Sequence, residues 1–318
     1  MPGEFDLIER IRARALVRAD VILGIGDDAA LLAPPPGMQL AVATDTLNEG
    51  VHFPAETSAY DIGWKALAVN LSDLAAMGAM PAWCSLSLSM PQADGAWLDE
   101  FIDGFSALAT MHDVALIGGD TTRGPLSICV SVIGFVEPGR AMRRDAAKVG
   151  DDVWVSGTLG DAAAALAQWR SGEVMLDDLR ARLDRPTPRV ALGRALVGIA
   201  TSCIDVSDGL LADIGHVCEA SNVGAQIELN DLPASAQLIG LSAGHDETRH
   251  RWQATGGDDY ELCFTAPASL RLRVGEVASQ TDVALTRVGT IDASRRLLAV
   301  IRGREWLPSH SGHEHFIT

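Results

Sequence analysis

Carboxylates that follow glycines or end apolar runs recur along this chain. Adjacent carboxylates repel one another unless water or a cation neutralises them. Hard oxygen ligands presented singly from several turns suit Mg²⁺, which takes a few carboxylates together with waters and phosphate oxygens. The pattern therefore indicates a magnesium site that handles phosphate, whereas each turn taken alone is equally typical of a solvated or self-hydrogen-bonded loop. The candidates are Asp27, Asp28, Asp45, Asp73, Asp120, Asp205, Asp208, Asp258 and Asp259.

The overall charge excludes some partners and restricts how phosphate can be bound. The 318 residues carry a formal net charge of -17, which disfavours nucleic acid because phosphate backbones are bound by basic patches. Lysine occurs only at Lys65 and Lys148, and neither lies in a GxxxxGK[ST] phosphate loop. Phosphate chemistry must therefore depend on arginine, backbone N–H groups and a metal standing between carboxylate and phosphate.

Cysteine usage and hydropathy predict a cytoplasmic protein that does not contact a membrane. The five cysteines lie far apart and form no CxxC pair, which is typical of small core residues in a reducing cytosol. No run of ~18 uncharged apolar residues occurs, and the charged N-terminus lacks the apolar segment of a signal peptide.

Apolar periodicity predicts the elements that position the first group of carboxylates. Glycines 118 and 119 predict a sharp turn over residues 117–125, between buried strands, with Asp120 at its tip. The predicted order of strand, helix, strand, helix, strand, strand describes an α+β domain, and a charged, glycine-containing linker then leads to a second domain. We predict domains over residues 1–137 and 150–318. After a surface helix over 5–15, the predicted elements of the first domain are a strand over 39–46, a helix over 61–77, a strand over 83–90, a helix over 95–111 and strands over 114–117 and 126–136.

A second informative site lies in the predicted second domain. A short apolar strand ends at Asp205, and Ser207 or Asp208 is predicted to cap the helix that follows. Asp205 and Asp208 bracket this turn, so both could point at one ion. A glycine turn before Asp161, a helix over 190–200 and strands over 283–291 and 297–301 complete the domain.

Several motifs, in order, resemble those of the thiamine-monophosphate kinase family and cover most of the chain from Gly24 to Leu262. The resemblance implies a two-domain aminoimidazole-ribonucleotide synthetase-like fold. It also implies a homodimer whose N-terminal domains pair into a β-barrel. The motifs are Gly24-Ile-Gly-Asp-Asp-Ala-Ala, Ala43-Thr-Asp-Thr-Leu with Glu49-Gly-Val-His-Phe, Lys65-Ala-Leu-Ala-Val-Asn-Leu-Ser-Asp73, Gly118-Gly-Asp-Thr-Thr-Arg-Gly-Pro, Val155-Ser-Gly-Thr-Leu-Gly-Asp, Ile204-Asp-Val-Ser-Asp-Gly-Leu and Gly256-Gly-Asp-Asp-Tyr-Glu-Leu.

The same resemblance implies ATP-dependent phosphorylation of thiamine monophosphate to thiamine diphosphate by direct transfer of the γ-phosphoryl group. ATP would contact Gly119, Asp120, Arg144 and Ser207, and the substrate would contact His52, Asp258 and His313. Asp258 stands where the family usually has Glu, and His313 where it usually has an aromatic residue. Several Mg²⁺ ions would be held by Asp27, Thr44, Asp45, Asp73, Asp120, Asp205 and Asp208.

Such a reaction places few demands on proton transfer. The acceptor is a phosphate whose oxygen is already anionic near neutral pH, and positioning and charge neutralisation dominate phosphoryl transfer. No histidine is therefore expected to act as an obligatory general base. Two alternatives stay open: another ATP-dependent synthetase of the same superfamily, of the aminoimidazole-ribonucleotide or selenophosphate type, and a non-catalytic metal- or nucleotide-binding protein. The first cysteine, Cys84, lies far from the N-terminus, which disfavours the selenophosphate type.

Overall fold

The computed structural model describes residues 3–308 and 312. These residues divide into two compact units. Unit one contains residues 3–74 and 79–139, and unit two contains residues 75–78, 140–308 and 312. Within the described residues, no helix combines the length and the apolar character that crossing a membrane requires.

The first half of the chain forms an α+β unit that contains the predicted elements in order, together with two short strands, β1 and β2, that were not predicted. Helix α3 has the predicted bounds, and α2 and β4 differ from them by one to three residues at an end. The elements are α1 (Glu4–Arg12), β1 (Val21–Leu23), β2 (Leu31–Leu32), β3 (Gln39–Asn48), α2 (Ala59–Ala76), β4 (Met80–Met90), α3 (Gly95–Met111), β5 (Ala115–Arg123) and β6 (Ser127–Val136).

Unit one contains a four-stranded sheet with the order β3-β6-β4-β5. β6 is antiparallel to both β3 and β4, whereas β4 and β5 are parallel. Side chains alternate between the two faces of a strand. Val130 lies on the buried face in register with Leu86, and Ser131 lies on the opposite face in register with Thr44 and Ser85. One face of this sheet is therefore apolar and buried, and the other is rich in hydroxyls.

The segment from Gly118 to Arg123 is part of strand β5, so the predicted sharp turn over residues 117–125 was wrong. The chain changes direction only after Arg123, at Gly124 and Pro125. Glycine is needed at position 119 for a reason other than a turn. A Cβ there would lie 1.8 Å from the backbone oxygen of Leu86 on the parallel neighbour β4. Only glycine permits this approach of two backbones.

Unit two is built on a seven-stranded sheet with the order β13-β12-β9-β11-β7-β10-β8. Its apolar core includes Val153 and Val155 from β7 and Ile204 and Val206 from the edge strand β8. The elements are β7 (Asp151–Ser156), α4 (Asp161–Arg170), α5 (Asp177–Asp184), α6 (Val190–Leu196), β8 (Ser202–Val206), α7 (Leu210–Ser221), β9 (Gly224–Glu228), α8 (Ala236–Leu241), α9 (Asp246–Thr255), β10 (Glu261–Pro267), α10 (Arg271–Thr281), β11 (Leu285–Asp292), β12 (Leu297–Ile301) and β13 (Arg304–Trp306).

Strand prediction in unit two was closer than helix prediction. The strand over 297–301 has the predicted bounds, and that over 283–291 is observed as Leu285–Asp292. The helix predicted over 190–200 ends instead at Leu196. Gly198, two residues later, has φ 84°, and a left-handed glycine just beyond the last turn is a common way to end a helix.

Candidate functional site

A cavity of about 730 Å³ in unit one brings together two of the predicted metal ligands, Asp27 and Asp120. The loop between β1 and β2 supplies Asp27 and Asp28, and strand β5 supplies Gly119 and Asp120. All three carboxylates are exposed. The N–H of Asp28 donates to the Oδ1 of Asp27 at 2.8 Å, which holds that carboxylate against its own loop. The glycines leave the backbone on this side of the cavity open to a ligand.

Helix α1 adds one positive charge to this cavity. Arg12 lies against the glycine loop: a Cβ on Gly26 would be 3.4 Å from its Nη1. Among the described residues that line the cavity, Arg12 is the one cationic side chain. Carboxylates, hydroxyls and a guanidinium therefore converge where an ion or a phosphate group could bind.

The structure places Thr44 and Asp45 on opposite faces of β3. The hydroxyl of Thr44 is hydrogen-bonded to that of Ser131 at 2.8 Å on the hydroxyl-rich face. The N–H of Asp45 donates to the Oδ1 of Asn70, a buried residue of α2, at 3.0 Å. Neither Thr44 nor Asp45 lines the cavity with Asp27 and Asp120.

Asp73 follows Asn70 by three residues on α2 and is half-buried. Positions three apart lie on the same side of a helix. Asn70 accepts a hydrogen bond from the backbone of Asp45. The side of α2 that carries Asn70 and Asp73 therefore faces strand β3. The structure thus brings Asp27 and Asp120 together in the cavity, and it places Asp45 and Asp73 on a strand and a helix that are joined by the hydrogen bond to Asn70.

His52 lies in the turn that follows β3. Its Nδ1 accepts a hydrogen bond from the N–H of Asn48 at 3.0 Å, and its carbonyl oxygen accepts one from the Nζ of Lys65 at the same distance. Lys65 is buried. A ring nitrogen that accepts from an N–H is itself unprotonated, so the neutral ring carries its proton on Nε2. In that tautomer Nε2 can donate to a substrate oxygen but cannot take a proton from it.

In unit two, the turn from β8 to α7 is held by Asp213, which the sequence analysis did not single out. Its Oδ2 accepts from the N–H groups of Ser207, Asp208 and Gly209 at 3.0, 3.2 and 3.1 Å. The predicted cap by Ser207 or Asp208 was wrong, because the N-cap is Gly209 and no cap side chain is bonded. The signal that could have found Asp213 is a carboxylate within the first turn of the helix, where orphan N–H groups need acceptors.

Three carboxylates crowd this turn. Burial, and then the charges of Asp205 and Asp208, raise the pKa of Asp213 to about 8, against the hydrogen bonds from the N–H groups of Asp208 and Gly209, which lower it. Asp205, at the end of β8, is 4% exposed. Such crowding of hard oxygen donors is what a divalent cation relieves. Across the described chain, however, no three His, Cys, Asp or Glu side chains are already gathered into a metal-binding group.

The loop from Gly256 to Tyr260 lies directly beside Ser207. The N–H of Asp258 donates to the Ser207 carbonyl oxygen at 2.8 Å, and the hydroxyl of Tyr260 donates to the Oδ1 of Asp258 at 3.0 Å. Asp258 and Tyr260 have φ of 68° and 50°. The structure therefore brings together a residue predicted to contact ATP and one predicted to contact substrate.

Arg144 is not brought to this point. Arg144 is exposed, and its carbonyl oxygen accepts a hydrogen bond at 2.8 Å from the hydroxyl of Ser221, the last residue of α7. Ser207 precedes the other end of that 12-residue helix, and a helix of this length spans about 18 Å. His313 lies outside the described residues.

A buried cluster behind the 256–260 loop was also missed by the sequence analysis. Glu261 is fully buried and is paired with Arg182 and Arg189. No functional role was predicted for these arginines. The available signal was two arginines close to Pro186 and Pro188 in a chain with almost no lysine.

Comparison with known proteins identifies the family. Residues 26–136 match the family model of the AIR synthase related protein, N-terminal domain, and residues 148–301 match that of the C-terminal domain. The chain is 46% identical to the thiamine-monophosphate kinase of Escherichia coli (strain K12) over 99% of both chains.

Solved structures agree with these matches. The crystal structure of thiamine-monophosphate kinase from Stenotrophomonas maltophilia K279a is 55% identical, with a TM-score of 0.88 over 95% of this chain and 97% of that one. The structure of AaThiL complexed with AMPPCP and TMP is 30% identical, with a TM-score of 0.78 over 98% and 97%. These similarities establish the two-domain AIR synthase-like fold, and the chain belongs to the thiamine-monophosphate kinase family.

Proposed function

We propose that this chain transfers the γ-phosphoryl group of ATP to thiamine monophosphate, yielding thiamine diphosphate and ADP. The observation that carries the proposal is the similarity to thiamine-monophosphate kinases over 99% of both chains. The 30% identical AaThiL was solved with AMPPCP and TMP, which supports a nucleotide and a phosphorylated acceptor as the two substrates here.

The carboxylates of both units are proposed to hold several Mg²⁺ ions. Their donors are hard oxygens, and the crowding of Asp205, Asp208 and Asp213 supports a cation there. Since no three such side chains of the described residues are already arranged to hold a metal ion, the remaining ligands would be waters and phosphate oxygens. Bound Mg²⁺ would supply charge neutralisation to the phosphates. The proposed ligands are Asp27, Thr44, Asp45, Asp73, Asp120, Asp205 and Asp208.

The chain's own residues would bind and orient the nucleotide. Gly119 and Asp120 line the cavity of unit one, where the lack of a side chain at Gly119 gives phosphate access to the backbone. The N–H of Ser207 is already bonded to Asp213, so the Ser207 hydroxyl is the group left to contact ATP. Arg144 is proposed to contribute its exposed guanidinium.

The acceptor would be bound by His52, Asp258 and His313. His52 would donate from Nε2, since its Nδ1 is occupied by the N–H of Asn48. Asp258 accepts the hydroxyl of Tyr260 at its Oδ1, which orients the carboxylate that would contact the substrate. No residue needs to remove a proton, because the acceptor phosphate is already anionic, and in-line transfer then depends on positioning.

The assembly is proposed to be a cytoplasmic homodimer in which the sheets of the N-terminal domains, residues 1–137, join into a barrel. Val42 is 64% exposed and Leu40 is 50% exposed on β3, which is an edge strand of its sheet. An exposed apolar edge strand invites pairing with another strand. The second domain, residues 150–318, would complete the ATP and substrate sites.

The direct test is to incubate the purified chain with MgATP and thiamine monophosphate and to separate the products by chromatography. Thiamine diphosphate and ADP are expected in equal amounts. The Asp120→Asn variant should lose turnover, whereas Asp103→Asn, which removes an exposed carboxylate paired with Arg14, should retain it. Consumption of ATP without thiamine diphosphate would overturn the proposal. Wild-type activity and Mg²⁺ dependence in Asp120→Asn would remove Asp120 from the metal site.

A further inference from the structure

The buried carboxylate of Glu261 in unit two is held by two arginines. Glu261, the first residue of β10, is 0% exposed. Arg182 donates from Nη2 to its Oε1 at 2.8 Å, and Arg189 donates from Nε to its Oε2 at 2.7 Å. The hydroxyl of Ser156 also donates to Oε2. A buried carboxylate is tolerated only when it is paired and hydrogen-bonded, and both conditions are met here.

The surroundings of Glu261 leave its side chain little freedom to move. A Cβ on Gly157, which has φ 57°, would lie 2.2 Å from the Oε1 of Glu261. No larger residue could occupy position 157 while Glu261 keeps this place. The carboxylate is thus enclosed by backbone on one side and by guanidinium groups on the other.

Arg182 differs from Arg189 because it also reaches the loop that precedes β10. Its Nη2 donates to the carbonyl oxygen of Asp259 at 3.4 Å. The Asp259 side chain, 2% exposed, accepts from the N–H of Gly160 at 2.9 Å. Asp259 is therefore fixed through both its carbonyl oxygen and its carboxylate. It lies between two positions of unusual backbone conformation.

Those two positions are Asp258 and Tyr260, with φ of 68° and 50°. Residues other than glycine rarely adopt such angles, and they keep them only where the surrounding structure enforces them. On one side, the N–H groups of Asp258 and Tyr260 donate to the backbone of Ser207 and Val206, each at 2.8 Å. On the other side, Arg182 is bonded to Asp259 and Glu261.

We infer that Arg182 is a positioning residue for the acceptor site: by joining Glu261 to the Asp259 carbonyl, it fixes the backbone that presents Asp258. This inference rests on the proposed function, in which Asp258 contacts thiamine monophosphate. Arg182 does not touch the substrate. Its removal leaves Glu261 paired with Arg189 but frees the carbonyl of Asp259, so the loop loses its side-chain contact on this side while the buried charge keeps a partner.

The chain provides a matched control. Asp152, 1% exposed, is also held by two arginines: Arg271 donates to its Oδ2 at 2.6 Å, and Arg287 donates to its Oδ1. Asp152 lies opposite Ala266, at the far end of β10 from Glu261. Arg271→Gln therefore removes one of two arginines from a buried carboxylate without touching the 256–260 loop.

The test compares Arg182→Gln, Arg182→Lys and Arg271→Gln with the wild-type chain by two measurements. The first is KM for thiamine monophosphate and for MgATP. In Arg182→Gln, KM for thiamine monophosphate should rise about tenfold or more, and KM for MgATP should change by less than about twofold, because only the acceptor contact is displaced. Arg182→Lys keeps the charge but not the fork of donors, so its KM should lie between those of wild type and Arg182→Gln.

The second measurement is amide hydrogen exchange at Asp258 and Tyr260, which does not depend on activity. Exchange should accelerate in Arg182→Gln and stay at the wild-type rate in Arg271→Gln. Wild-type exchange and wild-type KM in Arg182→Gln would overturn the inference, as would equal changes in Arg271→Gln. If Arg182→Gln does not fold, Arg182→Lys decides by the same measurements. If wild type fails to phosphorylate thiamine monophosphate, the proposed function falls, and exchange alone decides whether Arg182 holds the loop.

Discussion

The Asp213 carboxylate accepts the N–H of Ser207 at 3.0 Å, reaching back from the first turn of α7 to the residue that follows strand β8. The same oxygen accepts the N–H groups of Asp208 and Gly209. Asp213 was not predicted to bind metal or ATP. It nevertheless sets the shape of the turn that carries Ser207, predicted to contact ATP, and Asp208, a predicted metal ligand.

Replacing this carboxylate should damage the turn. Asp213→Ala leaves three N–H groups without their acceptor, so the free energy of unfolding should fall by about 2–3 kcal/mol, and KM for ATP should rise. Asp213→Asn keeps an acceptor oxygen and should lie closer to wild type. Denaturant unfolding and ATP-dependent kinetics of both variants check this. A wild-type KM for ATP in Asp213→Ala would show that the turn keeps its shape without the carboxylate.

The two neighbouring glycines of β5 should respond very differently to an added methyl group. A Cβ on Gly119 would lie 1.8 Å from the Leu86 oxygen, whereas a Cβ on Gly118 would meet nothing within 4 Å. Gly119→Ala should therefore part β4 from β5 and cost about 3 kcal/mol or more, and Gly118→Ala should cost less than about 1 kcal/mol. Chemical denaturation measures both. Equal stabilities of the two variants would contradict the close approach of the strands.

Much of the fold was predictable because periodicity records which face of an element is buried. α3 and β12 have their predicted bounds, since apolar residues at a fixed spacing end abruptly at polar or glycine residues. The Gly118-Gly119 segment was misread for a physical reason. Glycine permits a turn and also permits two backbones to approach, and only the partner strand, here Leu86 in β4, decides between the two.

The site was predictable only as a set of residue types. Strand alternation predicts that Thr44 and Asp45 lie on opposite faces of β3, but no local pattern shows that Asp27, in the β1–β2 loop, shares a cavity with Asp120 of β5. Arg182 and Glu261 are 79 positions apart, and their pairing depends on how α5 packs behind β10. Contacts of this kind are invisible to local patterns, because a buried charge is recognised by its partner rather than by its neighbours in sequence.

Asp152 should make the stability of the chain depend on pH in acid. The hydrogen bond from Arg271 and, next, that from Arg287 lower its pKa from the ordinary value of 3.8, against burial, which raises it. A carboxyl with a lowered folded-state pKa stabilises the fold above pH 3.8 and loses that contribution as pH falls through the folded-state value. Asp152→Asn should thus be less stable than wild type at pH 7, by about 1–2 kcal/mol because the arginines are half-exposed and screened.

Unfolding curves of wild type and Asp152→Asn from pH 7 down to about pH 2 check this sign. The gap between the two proteins should narrow as Asp152 becomes protonated in the folded wild type. A gap that widens toward low pH would show that burial, rather than the two arginines, controls the pKa of this carboxyl.

His52 should not be essential as a base. Its Nδ1 is engaged by Asn48, and the anionic acceptor does not need a proton removed. His52→Ala should raise KM for thiamine monophosphate while kcat falls by less than the ~10²–10⁴ that general base catalysis contributes. Steady-state kinetics against both substrates, with His216→Ala as the exposed control, separate the two parameters. A loss of ~10⁴ in kcat with KM unchanged would make His52 the base.

The central claim is that phosphate passes directly from ATP to thiamine monophosphate. It is tested by supplying ATP labelled at the γ-phosphorus, with Mg²⁺ and thiamine monophosphate, and locating the label after a single turnover and at completion. The account predicts that the label appears in thiamine diphosphate, with one ADP formed for each labelled molecule and no labelled inorganic phosphate. Label released as inorganic phosphate in proportion to ADP, as in an ATP-driven synthetase, would contradict it.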